Sequence, residues 1–295
     1  MSKKILSILS LIVVIVVALG IFSVLSKKEN KPKYSGQFVI AGTIFPISDI
    51  AHRIAGEKIV VHTIIPAGVS PHTFELSPLQ MKELESVDVI FSIGGEFDMW
   101  TKDLSDATGA EIIEVGKNIE KLSSDESVDP HYWLSLENTG TIAETIAGTL
   151  IEKDNMHGTE YFENLRNYKN LLDEKKQEFT SLLSPLSNRK LITFHDSWGY
   201  FAKEFDLEIA GVFISSPGKE PTPRYLKELH DTAKEYNVAS VFSEPQLSPE
   251  TIRPFVEDLN LSLFVLDPIG GVEGRNSYID LMSYNIHTIY DALKK

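Results

Sequence analysis

The sequence predicts an α/β fold of two lobes, each a mostly parallel sheet flanked by helices, joined by one long rigid helix. Three observations carry that expectation. From Gln37 on, apolar strand-like runs alternate with segments of helical period, the pattern of units that build parallel sheets. The second half of the chain repeats the scheme of the first in architecture, though not residue by residue. Between the halves, Tyr161, Leu165, Tyr168, Leu172, Phe179 and Leu182 are spaced by threes, fours and a seven, which keeps one apolar stripe on a single helix over 158–183. Such a helix is about 39 Å long, enough to run along both lobes, and a continuous helical connector predicts a stiff pair with limited closure.

The first element belongs to neither lobe. An uncharged, mostly apolar run of 21 residues from Ile5 to Leu25 follows Lys3 and Lys4 and ends at Lys27 and Lys28. As a helix it would be about 31 Å long, enough to span the hydrocarbon core. No small-x-small cleavage site follows it, so the sequence favours an uncleaved membrane anchor over a cleaved signal of a periplasmic or secreted protein. Lys27, Lys28, Lys31 and Lys33 outnumber the two lysines on the other side, so charge does not set the orientation. Residues 27–36 read as a short polar tether.

The first lobe is expected to hold strands at 37–42, 58–65, 87–93 and 111–115, with helices at 46–55, 78–86 and 98–108. Ser77-Pro78 is a capping residue followed by proline at the first helical position, and Gly56 and Gly109 stand where helices should stop. A helix at 135–153 follows a loop at 116–130. In the second lobe, strands are expected at 190–194, 208–213, 238–243 and 262–267, and helices at 198–205, 223–236, 249–260 and 277–294. Thr222-Pro223 and Ser248-Pro249 reuse the cap-then-proline start. The partition is thus 1–35 anchor or signal and tether, 36–157 first lobe, 158–184 linker helix and 185–295 second lobe.

Composition narrows the function. The 295 residues carry 28 Lys+Arg against 42 Asp+Glu, and six of the lysines but only one glutamate precede residue 36, leaving the folded part at a formal charge of −19. That balance argues against nucleic acid as a partner and suits cations. The absence of cysteine excludes disulfides, thiol nucleophiles, iron–sulfur clusters and Cys-based zinc sites. Gly94-Gly95 lacks the other glycines of a nucleotide-binding fingerprint, and no Gly-x-Ser-x-Gly elbow occurs.

In open parallel sheets, ligands collect beyond the carboxyl ends of the strands. Ionisable residues expected there are His72, His195 directly after the run Leu191–Phe194, Glu244 and Asp267, while His131 closes the loop after the fourth strand. Three histidines and a carboxylate, two from each lobe, form a ligand set for a borderline cation such as zinc. Separations of 59, 64 and 72 residues form no short metal motif, so the residues alone leave open a metal site or separate hydrogen-bonding histidines. His52, His62, His157, His230 and His287 fall in helices, a strand or a junction and read as structural or exposed. Trp133 and Trp198 each closely follow a candidate ligand, either shielding a site or packing in the core.

At these residues the chain resembles the zinc- and manganese-binding solute-binding proteins of ABC metal importers, the cluster A-I family. The likeness runs through Pro66–Glu75, Asp129–Leu134, Phe194–Phe201, Phe242–Gln246 and Leu266–Gly271, in the expected order over residues 37–295. It implies two α/β lobes joined by a rigid helix, with one metal between them. Position by position it implies His72, His131 and His195 as imidazole ligands and Asp267 as the carboxylate, with Glu244 as a supporting or alternative carboxylate. Manganese-preferring relatives often have Glu where this chain has His195, so the resemblance tilts toward Zn2+, with Mn2+ the alternative. Gly116–Val128 lacks the His-rich loop of many zinc importers, and no lipidated cysteine is present.

The function expected is therefore that of a non-enzymatic extracytoplasmic receptor. It would be a monomer tethered to the membrane by its N-terminal helix, capturing one metal ion as cargo for an ABC permease and its ATPase. A zinc hydrolase using Glu244 as general base and an adhesin that keeps the family fold are the rival readings. Neutral imidazole ligands imply that affinity falls below about pH 6.5.

Overall fold

A computed structural model describes residues 38–123, 128–214 and 221–294. The expected anchor and tether lie outside the described residues, and among those described no helix is long and apolar enough to cross a membrane.

Two four-stranded sheets, parallel throughout, organise the described residues. The first is built from β1 (Val39–Gly42), β2 (Val60–Thr63), β3 (Val89–Ser92) and β4 (Glu111–Glu114) in the order β2-β1-β3-β4. The second holds β5 (Lys190–His195), β6 (Glu208–Ile214), β7 (Ser240–Ser243) and β8 (Ser262–Val265) in the order β6-β5-β7-β8. Every expected strand is present, several of them shorter than the apolar run that announced it. The central strands β1, β3 and β7 are buried along their whole length and β5 nearly so, which is why they read as continuous apolar runs. In both sheets the strand order reverses beside the first strand, so each opens a crevice at the strand carboxyl ends, β1/β3 in one lobe and β5/β7 in the other.

Helices α1 (Phe45–Ala55), α2 (Pro78–Glu83), α3 (Thr101–Thr108) and α4 (Leu136–Lys153) accompany the first sheet. Ser77 forms a full capping box with Gln80 at the start of α2, and Gly56 and Gly109 end α1 and α3 at φ of 69° and 79°. The helix expected over 98–108 starts only at Thr101. Asp98 folds back to accept the amides of Ile93 (2.7 Å) and Gly94 (2.9 Å), so it serves the preceding loop and not the helix interior. The linker α5 runs unbroken over Gly158–Leu183, burying Tyr161, Tyr168, Leu172, Phe179 and Leu183.

The second lobe adds α6 (Gly199–Glu204), α7 (Pro223–Glu235), α8 (Arg253–Asp258) and α9 (Tyr278–Leu293). The segment expected as one helix over 249–260 is a 3-10 turn at Pro249–Thr251 followed by α8, because Pro254 has no amide to donate and sits where a new helix starts.

The largest apolar cluster among the described residues runs through both lobes: Tyr132, Trp133 and Leu134 of the first share it with Trp198, Phe201 and Tyr278 of the second. Polar bonds pin the same seam. The Tyr278 hydroxyl donates to the Trp133 carbonyl (2.7 Å), and Trp133 Nε1 donates to the Pro268 carbonyl (2.8 Å). Glu204 of α6 accepts the amides of Leu136 (2.6 Å) and Glu137 (3.0 Å), capping α4 from across the seam.

Candidate metal centre

Each histidine of interest is placed by a short local device. His72 sits in a 3-10 turn opened by Pro71, in the connection leaving β2. His131 precedes the 3-10 turn Tyr132–Leu134, and Asp129 Oδ1 accepts both its amide (2.9 Å) and its ring Nδ1 (2.8 Å), fixing backbone and imidazole with one atom. His195 is the last residue of β5, and Glu244 follows β7, its neighbour across the second crevice. The two meet at 2.7 Å, His195 Nδ1 to Glu244 Oε2. Glu244 Oε1 in turn accepts from Ser197 Oγ (2.9 Å) and Trp198 Nε1 (3.0 Å).

With Nδ1 of His131 and His195 held by carboxylates, their Nε2 atoms are left facing inward. His131 Nε2 lies 3.1 Å from His72 Nε2 and 3.4 Å from His195 Nε2, and the three histidines can each offer a nitrogen within 4.8 Å of the others. Nitrogens bound to one tetrahedral zinc at about 2.05 Å would stand about 3.3 Å apart, so the observed spacing matches three ligands of one ion. A carboxylate on the far nitrogen of a ligating histidine sets its tautomer and raises its basicity.

The electrostatics favour neutral rings at His72 and His131. Burial and the neighbouring imidazoles push His72 down to about 3 and hold His131 well below the ordinary histidine range. Burial raises Asp129 to about 6 against the lowering effect of its bond from the His131 amide. His131 and His195 are buried and His72 lies exposed at the mouth. Phe97 packs edge-on against His72 (5.2 Å between ring centres) and against Trp133 (5.3 Å), giving the nitrogens an apolar surround. The free space among them is about 10 Å³, room for about one water-sized sphere.

Asp267 is not in this group. Its Oδ1 accepts from Gln246 Nε2 (3.0 Å), the Ile269 amide (3.0 Å) and the Gly270 amide (3.1 Å), and its Oδ2 pairs with Arg275 Nη1 (3.1 Å). Its neighbours Pro268 and Ile269 do line the pocket, as do Gln246 and Glu244. Both tryptophans are packed in the core: Trp133 is fully buried and also lines the pocket against the His131 ring (5.2 Å), while Trp198, equally buried, donates to Glu244. The other histidines lie elsewhere: His52, His230 and His287 on helices, His62 in β2, and His157 just before α5 with its Nδ1 on Asp154 (2.7 Å). Sequence reasoning assigned no role to Asp129, Ser197 or Arg275. The only signal for Asp129 was its place two residues before His131; nothing local marked Arg275.

Residues 40–292 match the family described as ZnuA, the periplasmic component A of a zinc-uptake complex. The chain belongs to this family. It is similar to the manganese ABC transporter substrate-binding lipoprotein PsaA of Streptococcus anginosus, with 30% identity over 289 residues, covering 90% of this chain and 93% of that protein. A crystal structure of a ZnuA 138–173 deletion mutant with zinc bound superposes with a TM-score of 0.80 at 30% identity, covering 87% of this chain and 98% of that one. The laminin-binding protein Lmb of Streptococcus agalactiae, described as bifunctional with adhesin and metal-transporting activity, superposes at 0.78 with 26% identity, covering 88% of this chain and all of that one. The family is one of metal-binding substrate-binding proteins of ABC transporters, of the zinc/manganese type, which work with a permease and its ATPase. Its members are receptors, and the two-lobe fold joined by a long helix is theirs.

Proposed function

We propose that the chain captures one zinc ion through Nε2 of His72, His131 and His195 and delivers it, as a monomeric extracytoplasmic receptor, to an ABC permease. The observation that carries this reading is the convergence of three Nε2 atoms with two of the rings steered by Asp129 and Glu244. Three nitrogen donors favour zinc over manganese, which suits oxygen. Asp267 is the proposed carboxylate of the set, joining it only when Arg275 releases it, so zinc can be held by the three imidazoles before that. The run Ile5–Leu25 is the proposed anchor, standing in for the lipid of the relatives named as lipoproteins, since this chain has no cysteine.

A hydrolase would need Glu244 free as a base, whereas both its oxygens are engaged in hydrogen bonds to His195, Ser197 and Trp198. The test is elemental analysis of protein purified without added metal, followed by zinc titration of the chelated chain and of His131→Ala. One zinc per chain, lost with His131, is expected. Protein that takes up no zinc, or binds it equally well without His131, refutes the reading.

A further inference from the structure

Asp267 is held by more contacts than any other carboxylate near the pocket. Asn285, fully buried on α9, clamps its backbone from both sides, accepting the Asp267 amide (2.8 Å) and donating to its carbonyl (2.7 Å). Both oxygens of its side chain are engaged, Oδ1 by three donors and Oδ2 by Arg275 at 3.1 Å. Arg275 is itself built in. The Gly271 amide bonds to its carbonyl (3.0 Å), its own amide bonds to Val272 (2.9 Å), and its guanidinium lies over the Tyr284 ring at 4.5 Å. Gly270, Gly271 and Gly274 take the positive φ values that let this loop return to Asp267. A surface arginine met by chance would have no such turn, and this one is only 18% exposed against a carboxylate at 2%.

From this geometry we infer that Arg275 is a specificity-determining residue, which keeps the carboxylate of Asp267 from the three-histidine site and thereby favours zinc over manganese. The inference rests on the histidine site proposed above. Zinc is satisfied by three imidazoles and one further small ligand, so it can be held while Arg275 keeps its grip. Manganese binds nitrogen more weakly and depends on oxygen donors, so it needs Asp267 and must separate a buried ion pair to obtain it. Stacked on Tyr284 while it pairs with Asp267, the guanidinium is held in the paired arrangement, which adds to the cost of separating it.

The test uses the full chain in detergent, stripped of metal, with zinc and manganese each titrated against a competing chelator. Arg275→Met is expected to tighten manganese binding by about tenfold while moving zinc by less than about threefold, the scale on which partners of ligands act. Arg275→Lys should restore most of the wild-type ratio, and Arg275→Met combined with Asp267→Asn should lose the manganese gain. Should Arg275→Met lack a native melting transition, Arg275→Gln, which keeps a donor but no charge, carries the same comparison. A zinc-to-manganese ratio unmoved in the charge-free variant, or a gain that survives loss of the Asp267 carboxylate, overturns the role of Arg275 alone. A wild-type chain that takes up neither metal overturns the histidine site and this role together.

Discussion

Glu244→Gln separates a carboxylate that steers a ligand from one that merely fills space. In the wild type, Glu244 Oε2 accepts from His195 Nδ1 at 2.7 Å while Oε1 accepts from Ser197 and Trp198. The substituted amide has one acceptor oxygen and one donor NH₂, and Trp198 Nε1 can only donate. The amide oxygen must therefore face Trp198, which turns the NH₂ toward His195 Nδ1. That ring nitrogen can then only accept, and the imidazole proton moves to Nε2, the atom the metal needs. Volume and burial are unchanged, so the cost falls on the tautomer. Partners of this kind are worth about 10- to 100-fold in metal affinity, or about 1.4 to 2.7 kcal/mol. Chelator competition on wild type and Glu244→Gln reads the affinity directly. Melting curves give a second measure, since the stabilisation by excess zinc should shrink by about 1.4 kcal/mol for each tenfold loss. Zinc affinity within twofold of wild type, with Glu244→Gln folded, would show that Glu244 does not set the tautomer of His195.

Three further outcomes are expected. The sequence alone implies that affinity falls below about pH 6.5. Because burial first, and then the neighbouring imidazoles, hold His72 at about 3 and His131 well below the ordinary range, zinc binding should instead persist below that pH and fall only at lower pH. For the metal-free chain the sign follows from the lowered pKa: between about 6.5 and about 3 the unfolded state binds the extra proton, so the His72 contribution to stability is present above that window and lost as pH falls through it. Denaturant titrations across that range on wild type and His72→Gln should differ accordingly, and a pH dependence unaltered by the substitution would count against it. His195→Glu replaces a nitrogen with a harder, charged oxygen donor and should move the affinity ratio toward manganese, measured by titrating both metals. The protein should resist carbonate washing of membranes and retain its first residues on N-terminal sequencing, whereas a mature chain starting near residue 26 would mean that a signal is cleaved.

Local physics made much of this molecule legible in its sequence. Strands β1, β3, β5 and β7 are short apolar runs because both their faces are covered, and Ser77-Pro78 and Thr222-Pro223 announce helix starts because a side-chain acceptor and a missing amide act within one turn. The rule that parallel sheets gather ligands at their carboxyl ends pointed to His72, His195 and Glu244 before any contact was known. Where a side chain served something other than its own element, the reading slipped: Asp98 turned back to the Ile93 and Gly94 amides and shortened a helix, and Pro254 split one.

Tertiary structure alone decided which atoms face the pocket and which are already engaged. Asp129 and Glu244 choose Nε2 over Nδ1 on two histidines, the second across 49 residues of chain. Arg275 takes the free oxygen of Asp267, and Tyr278 ties the lobes together through Trp133 at a separation of 145 residues. Propensity and periodicity act over a turn or a strand, so they specify elements and the ends where ligands can sit. The tautomer of a ring and the partner of a carboxylate depend on groups brought near only by packing, and no spacing along the chain records them.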